Sequence, residues 1–317
     1  MEDSRRRWMV QKSRAGFDAP FVAYWALVGV LVGFGLIVLG YEIRLTATYS
    51  TASLFRDSRL YYEATRAWLA GSDPWAVQVD GLRFAAPPPA LLLNLPLQPI
   101  GPGAAGVFWA VADVVGWLFL MLRLRLGPWW ILFAPFVESV FSGSADPALA
   151  AAAVAGAGWL AAITKPYSIP SIMADRHWGQ LLAAVFILVL TFALLPWGRF
   201  IADLGAIQEM LAFQAQHTSA WGNPPLMVFT ILALILMGWS KGLLLATPTL
   251  WPSAQFHYSV FSAEAGVDSA ALGAALSIPT LTAPIVVVYA TITRGLPLVR
   301  RFWSQRADLR RRISQWG

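Results

Sequence analysis

The sequence predicts an all-α, polytopic membrane protein, and three observations lead to this prediction. Hydrophobic residues make up 57% of the 317 residues and charged residues only 13%, a balance outside the range of soluble domains. Apolar runs long enough to approach or exceed the thickness of a bilayer recur along the chain. Five Lys and Arg residues collect near the amino end and seven near the carboxyl end, which predicts that both termini are cytoplasmic. We therefore expect a multi-pass protein of the cytoplasmic membrane.

The composition also narrows the possible partners. The chain has no cysteine, so disulfides, thiolate metal sites and a cysteine nucleophile are excluded. No motif points to a metal site or an organic cofactor, so none is expected, and the sequence leaves a metal requirement open. The net charge is +6, but the basic residues lie at the ends of the chain rather than along a folded face. Membrane lipids are therefore the expected partner of this charge, and nucleic acid is not.

The apolar runs predict about eight transmembrane helices in a single domain, 1–317. In order, the runs are 20–43, 103–122, 129–141, 147–172, 178–197, 225–239, 242–256 and 270–293. Arg123, Arg125, Arg176 and Lys241 then lie on the inner side, together with the segment 1–19 and the tail 294–317. The proline-broken segment 87–100 is too short to span and predicts a re-entrant or interfacial piece.

Three stretches are then expected on the outer face: 41–86, 198–223 and about 257–268. The first contains an amphipathic helix that begins near Asp57 and ends at Gly71. The spacing of Leu60 and Ala64 predicts that its apolar side lies on lipid.

Asp57 is the most informative residue of this loop. It lies between Arg56 and Arg59, just after a long apolar helix has crossed the membrane. A carboxylate at that boundary either caps the amino end of the following helix or serves a function, and the neighbouring Tyr61 and Tyr62 could hold it against a lipid-borne substrate.

Four cations are candidate phosphate ligands. His257 lies between aromatic residues in a short outer segment, and its alternative is an interfacial histidine satisfied by backbone or water. Lys165 ends an apolar stretch, where it is either functional or extends its ammonium to the membrane surface. Arg56 and Arg59 either bind phosphate or contact lipid headgroups.

Other polar residues carry weaker predictions. The polar segment 214–223 suits sugar recognition but equally a solvated loop. Asp113 and Glu138 lie inside predicted spans, where a carboxylate is expensive unless paired, so they predict a buried polar network.

Several short motifs resemble a known family. They are Asp57 with the pair Tyr61-Tyr62, AWLAGSDPW at 67–75, GSADP at 143–147, ITKPY at 163–167 and QFHY at 255–258. Together they resemble glycosyltransferase family 87, the polyprenyl-phosphate-mannose-dependent mannosyltransferases of the GT-C fold. The resemblance covers most of the chain, and its first loop is the most specific part.

The resemblance implies an inverting transfer of mannose or another sugar, outside the cytoplasmic membrane, from a polyprenyl-phosphate donor to a lipid or glycan acceptor. Asp57 would match the catalytic carboxylate and act as general base. His257 would meet the donor phosphate, with Lys165, Arg56 and Arg59 as further phosphate ligands. Substrate-binding positions would be Tyr61, Tyr62, Gln255 and Tyr258.

The chain also departs from this family. Members are usually longer, and between the positions of Asp146 and Lys165 they have two helices separated by a basic turn. Here one alanine-rich stretch replaces both, so the predicted topology leaves Lys165 deep in the membrane or on the inner side. The alternative function is therefore a non-catalytic structural subunit of a membrane protein complex derived from the same fold. A transporter would need two related halves with paired broken helices, which the sequence lacks.

Overall fold

The computed structural model describes residues 19–49, 54–214 and 219–314, and these are mostly helical. Their α-helices, in chain order, are α1 (Ala19–Tyr49), α2 (Arg56–Leu69), α3 (Gly101–Leu124), α4 (Ala134–Ser142), α5 (Asp146–Ala152), α6 (Gly158–Thr164), α7 (Ile169–Ala174), α8 (Trp178–Thr191), α9 (Trp197–Gln214), α10 (Pro224–Met237), α11 (Trp239–Leu250), α12 (Ala270–Leu276), α13 (Thr282–Ala290) and α14 (Leu296–Ser314). Residues 1–18 of the predicted basic segment at the amino end and residues 215–218 of the polar segment 214–223 lie outside the described residues.

Shorter elements connect these helices. A two-residue antiparallel ladder joins β1 (Gln78–Val79) to β2 (Leu82–Arg83). The 3₁₀ segments are Pro74–Ala76, Pro88–Leu93, Leu95–Ile100, Pro128–Leu132, Pro166–Ser168 and Phe256–Gly266, and π turns cover Ala153–Ala157 and Thr291–Gly295. The segment predicted to be re-entrant or interfacial is thus a pair of proline-rich 3₁₀ helices.

By length and composition alone, four helical stretches of the described chain could cross a membrane: Phe21–Thr48, Leu95–Leu124, Asp146–Thr164 and Thr282–Gln305. Two shorter apolar helices are α8 and α10. Large apolar side chains on these helices are exposed, for example Val185, Phe186 and Val189 on α8, as expected for helices in contact with lipid. The described chain is therefore that of a helical, membrane-associated protein, whereas the count of eight spans stays a prediction.

The alanine-rich stretch is folded back on itself, so the prediction of one span over 147–172 is wrong. Gly156 has φ +99° inside the π turn that joins α5 to α6. A straight helix over the 19 residues Asp146–Thr164 would be about 28 Å long. Instead α5 contacts α6, and the Lys165 ammonium lies 3.4 Å from the Asp146 carboxylate. The two residues at the ends of the stretch therefore share one end of the protein.

Other predicted spans are also broken. Two 3₁₀ or α segments, Pro128–Leu132 and α4, occupy the run 129–141, and the run 270–293 is interrupted between α12 and α13. The expected outer loop 257–268 is largely the 3₁₀ helix Phe256–Gly266, which extends about 22 Å. Its far end leads to Asp268, which pairs with Lys241 at 3.7 Å. The segment is therefore a buried helix rather than an open loop, and the side of the membrane on which it lies stays a prediction.

The helix predicted near Asp57 is present as α2, but Asp57 does not cap it. Phe55, in the left-handed conformation with φ 58°, occupies the N-cap position without a side-chain cap hydrogen bond, and Asp57 lies inside the first turn. The cap interpretation of Asp57 is therefore wrong. The chain leaves the helix at Gly71, with φ +76°, a conformation that glycine adopts without strain.

The apolar face of α2 is buried in protein, so the prediction that it lies on lipid is wrong. Leu60 is 6% exposed and Ala64 is fully buried. Both pack in one cluster with Trp75, Phe84 and Leu91, because the segment after α2 folds back beneath it. This packing fixes α2, and Asp57, Leu60 and Tyr61 on the same side of the helix line the cavity described next.

Candidate functional site

A cavity of about 480 Å³ lies between α2, the end of α6, α9 and the start of the 3₁₀ helix Phe256–Gly266. Its size is within the range of small-molecule sites. One part of the wall is apolar, including Leu188 of α8 and Leu204 and Leu211 of α9. The polar part includes Asp57, Lys165 and His257. Residues from six parts of the sequence, 57–61, 82–87, 162–169, 188, 197–211 and 251–258, thus meet at one site.

Asp57 contributes its half-buried carboxylate from the first turn of α2. The fold leaves this side chain available because backbone geometry at Phe55, rather than a capping carboxylate, starts the helix. An anionic oxygen on the wall of a cavity can accept a proton from a bound hydroxyl.

Asp146 is fully buried at the amino end of α5 and holds two cations. Its Oδ1 lies 3.4 Å from Lys165 Nζ, and its Oδ2 lies 3.4 Å from His257 Nε2. The Tyr167 hydroxyl donates a 2.7 Å hydrogen bond to Oδ1. Because an isolated buried carboxylate is very unfavourable, these three partners account for the presence of Asp146 in the core.

Asp113, one of the two carboxylates predicted to form a buried network, stabilises the first turn of α5. Its Oδ1 accepts a 3.3 Å hydrogen bond from the backbone N–H of Ala148. A carboxylate near the first turn of a helix is favoured by the helix dipole. Asp113 therefore holds the amino end of α5, which carries Asp146.

Lys165 is 5% exposed and lies in an aromatic environment. Its Nζ is 4.8 Å from the ring centroid of Tyr61 and 5.7 Å from that of Tyr167, both within cation–π range. Burial alone would lower the pKa of Lys165, but the charge of Asp146 outweighs burial, so the pKa is raised. The ammonium therefore stays charged at the cavity wall.

His257 is 5% exposed and faces two carboxylates. Besides Asp146 at its Nε2, Glu138 Oε2 lies 3.8 Å from its Nδ1, which is too long for a hydrogen bond and makes Glu138 a neighbouring charge. Burial alone would lower the pKa of His257, but Glu138, Asp146 and Asp57 together raise it. The imidazole is therefore biased toward its cationic form.

The other predicted substrate residues divide into two groups. Tyr61, Gln255 and Tyr258 line the cavity, and the Tyr258 ring stacks on Tyr167 at 3.5 Å. Burial raises the pKa of Tyr258, so its phenol keeps its proton. Tyr62 is not among the lining residues, and its hydroxyl donates a 2.8 Å hydrogen bond to the Gln98 carbonyl.

The two predicted arginines are also absent from the cavity lining. Arg59 forms a 2.5 Å ion pair with Asp80. Arg56 lies among the charges of Asp57, Glu138 and Glu42; burial alone would lower its pKa, and these charges raise it. Their phosphate role stays a prediction with no contact in the site to support it.

Sequence reasoning missed three residues of the site. Asp146 was noticed only as part of a motif, although a carboxylate inside an apolar region is itself a signal. Tyr167 follows Lys165 closely and carries no separate signal. Arg83 lines the cavity and donates from Nε to the Trp75 carbonyl, and nothing in its local sequence identifies it. In the described chain no group of three His, Asp or Glu side chains is placed to hold a metal.

Comparison with known proteins returned no match among family models, curated proteins or solved structures. The chemistry of the site therefore rests on its geometry. It offers one carboxylate, Asp57, on the wall of a partly apolar cavity, and two cations, Lys165 and His257, on the same wall. Such a site suits a ligand with a hydroxyl, an anionic group and an apolar chain.

Proposed function

We propose that the protein is an inverting membrane glycosyltransferase of GT-C type. In this proposal it transfers a sugar, with mannose the first candidate, from a polyprenyl-phosphate donor to a lipid or glycan acceptor. The observation that supports this proposal is the cavity shared by Asp57, Lys165 and His257. A transfer of this kind needs one base and a cationic site for the leaving phosphate, and it needs no second carboxylate.

In the proposed reaction the acceptor hydroxyl attacks the anomeric carbon of the donor sugar. Asp57 takes the hydroxyl proton as the new C–O bond forms. The bond between the anomeric carbon and the phosphate oxygen breaks, and its electron pair stays on the polyprenyl phosphate. Lys165 and His257 stabilise that negative charge, which develops as the bond breaks. Inversion at the anomeric carbon follows from a single displacement.

The apolar part of the cavity supports a lipid-linked donor. Leu188, Leu204 and Leu211 give it a hydrocarbon wall. Binding of an isoprenoid unit against this wall is favourable because it removes apolar surface from water. The cationic part then receives the phosphate at the end of that chain. We place the reaction on the outer face of the cytoplasmic membrane, with Asp57 at the water–lipid boundary.

Transfer of radiolabelled mannose from polyprenyl-phosphate-mannose to membrane lipids tests the proposal. The wild-type protein and Asp57→Asn are purified and compared, with Glu63→Gln as control because Glu63 lies on the same helix but pairs with Arg66 at 2.5 Å outside the cavity lining. We expect a loss of at least about 10²-fold for Asp57→Asn, the usual contribution of a general base, and little change for Glu63→Gln. Equal transfer by all three proteins would remove Asp57 from the mechanism, whereas no transfer by any of them would favour the non-catalytic subunit.

A further inference from the structure

The ionic group around Asp146 extends beyond the residues that touch a substrate in the proposed reaction. Asp146 has one carboxylate oxygen for each cation, with Oδ1 facing Lys165 and Oδ2 facing His257, both at 3.4 Å. It is not among the residues that line the cavity, whereas both cations are. The carboxylate therefore lies behind the two cations and cannot contact a ligand directly.

We infer that Asp146 is a positioning residue that holds Lys165 and His257 side by side as a two-cation anion site. The inference deepens the proposed function and rests on it for the identity of the anion, a lipid-linked phosphate. The contacts of Asp146 with the two cations do not depend on the proposed function, because they are distances in the structure.

Two features of the fold support this role. The reversal at Gly156 returns the chain so that Lys165 lies beside Asp146, and the Tyr167 hydrogen bond of 2.7 Å orients the same carboxylate. Asp146 is the counterion that both cations share, and it holds their nitrogens at the cavity wall. A phosphate bound there can accept charge-assisted hydrogen bonds from both cations.

The protonation of His257 is the most direct readout of this coupling. The groups that face its ring are Asp146 on α5, Glu138 on α4, Asp57 on α2 and the adjacent Tyr258, whose ring lies 4.9 Å away. Removing one of the two nearest carboxylates favours the neutral imidazole. A neighbouring opposite charge shifts a titration by about one to three pH units.

The experiment is a pH titration of His257 by NMR of histidine-labelled protein in detergent or nanodiscs. The chain has three histidines, so a background with His177→Gln and His217→Gln leaves His257 as the only signal. In this background we expect Asp146→Asn to lower the His257 midpoint by about one pH unit or more. The matched control is Asp113→Asn, which removes a second fully buried carboxylate that bonds Ala148 instead of a cation; it should shift the midpoint less. Equal shifts in both variants, or no shift in Asp146→Asn, would overturn the inference.

If Asp146→Asn fails to fold, Lys165→Met tests the same coupling from the other side. Without the Lys165 ammonium, His257 is the remaining cation beside Asp146, so the titration midpoint of His257 should rise. An unchanged midpoint contradicts the inference. Binding of undecaprenyl phosphate is then measured from pH 6 to 9 in wild type and in whichever variant folds. Affinity should follow the shifted His257 titration. A shifted titration without any phosphate binding would keep the positioning role and reject the proposed donor, so the two failures are distinguishable.

Discussion

The Lys165 ammonium lies 3.4 Å from the Asp146 carboxylate, although Asp146 begins the alanine-rich segment Asp146–Thr164 and Lys165 directly follows its end. This pair requires the chain to reverse at Gly156. The reversal places both charges beside the cavity that Asp57 also lines. The candidate site therefore depends on one turn in a segment that otherwise has the composition of a membrane-spanning helix.

The first prediction concerns this turn. Gly156 has φ +99°, where a side chain is strained even though no atom lies within 4 Å of an added Cβ. We expect Gly156→Ala to lower stability by about 1–2 kcal/mol. The control is Gly179→Ala in α8, which also has open space around an added Cβ but a helical backbone. Thermal unfolding in detergent compares the stability of the two variants. An equal change in stability would contradict the reversal of the chain at Gly156.

The second prediction concerns the buried ion pair. Lys165→Met leaves Asp146 with His257 as its only cationic partner, and breaking a buried pair costs about 3–5 kcal/mol. The control is Lys241→Met, since the side chains of Lys241 and Asp268 are 31% and 77% exposed and such pairs contribute at most about 1 kcal/mol. Chemical denaturation of both variants measures the difference. Similar small losses would show that Asp146 does not depend on Lys165.

The third prediction concerns pH. The pKa of His257 is raised above its ordinary 6.5: burial opposes this shift, and Glu138 and Asp146 outweigh burial. A group with a higher pKa in the folded state stabilises the fold fully below its unfolded pKa of about 6.5 and loses this contribution as pH rises through the folded pKa. Thermal stability should therefore fall on raising the pH above 6.5. His257→Gln should remove this dependence, and His177→Gln, at a residue outside the cavity lining, should retain it.

The fourth prediction separates two adjacent tyrosines. Tyr61 lies under the Lys165 ammonium at the cavity wall, so Tyr61→Leu should weaken binding of undecaprenyl phosphate by removing a cation–π contact worth about 0.5–2 kcal/mol. Tyr62→Phe loses only the hydrogen bond to the Gln98 carbonyl and should reduce stability by about 1 kcal/mol without affecting binding. The reverse pattern would mean that the ligand approaches from the other face of α2.

Much of the helical architecture was predictable from the sequence. The runs 20–43 and 103–122 are continuous apolar segments, and the helices found there are α1 and α3. Helix α2 was predictable from its spacing and from Gly71. These predictions depend on local composition, which is sufficient where a segment has one favourable conformation.

The errors arise where one residue or a distant contact decides the outcome. In the alanine-rich stretch most residues favour a helix, and the non-helical backbone at Gly156 and Ala157 reverses the chain. Leu60 and Ala64 were expected on lipid because their burial depends on Trp75 and Phe84, which fold back beneath α2. Asp146 could not be paired with its cations from spacing, since both pairings are tertiary.

A structure of the protein with a bound polyprenyl-phosphate-sugar analogue is the decisive measurement for the proposed glycosyl transfer. We expect the phosphate in contact with Lys165 Nζ and the His257 ring, the isoprenoid against the wall that includes Leu204 and Leu211, and the anomeric carbon facing Asp57. A phosphate bound elsewhere, or a cavity filled by side chains of another protein subunit, would contradict it.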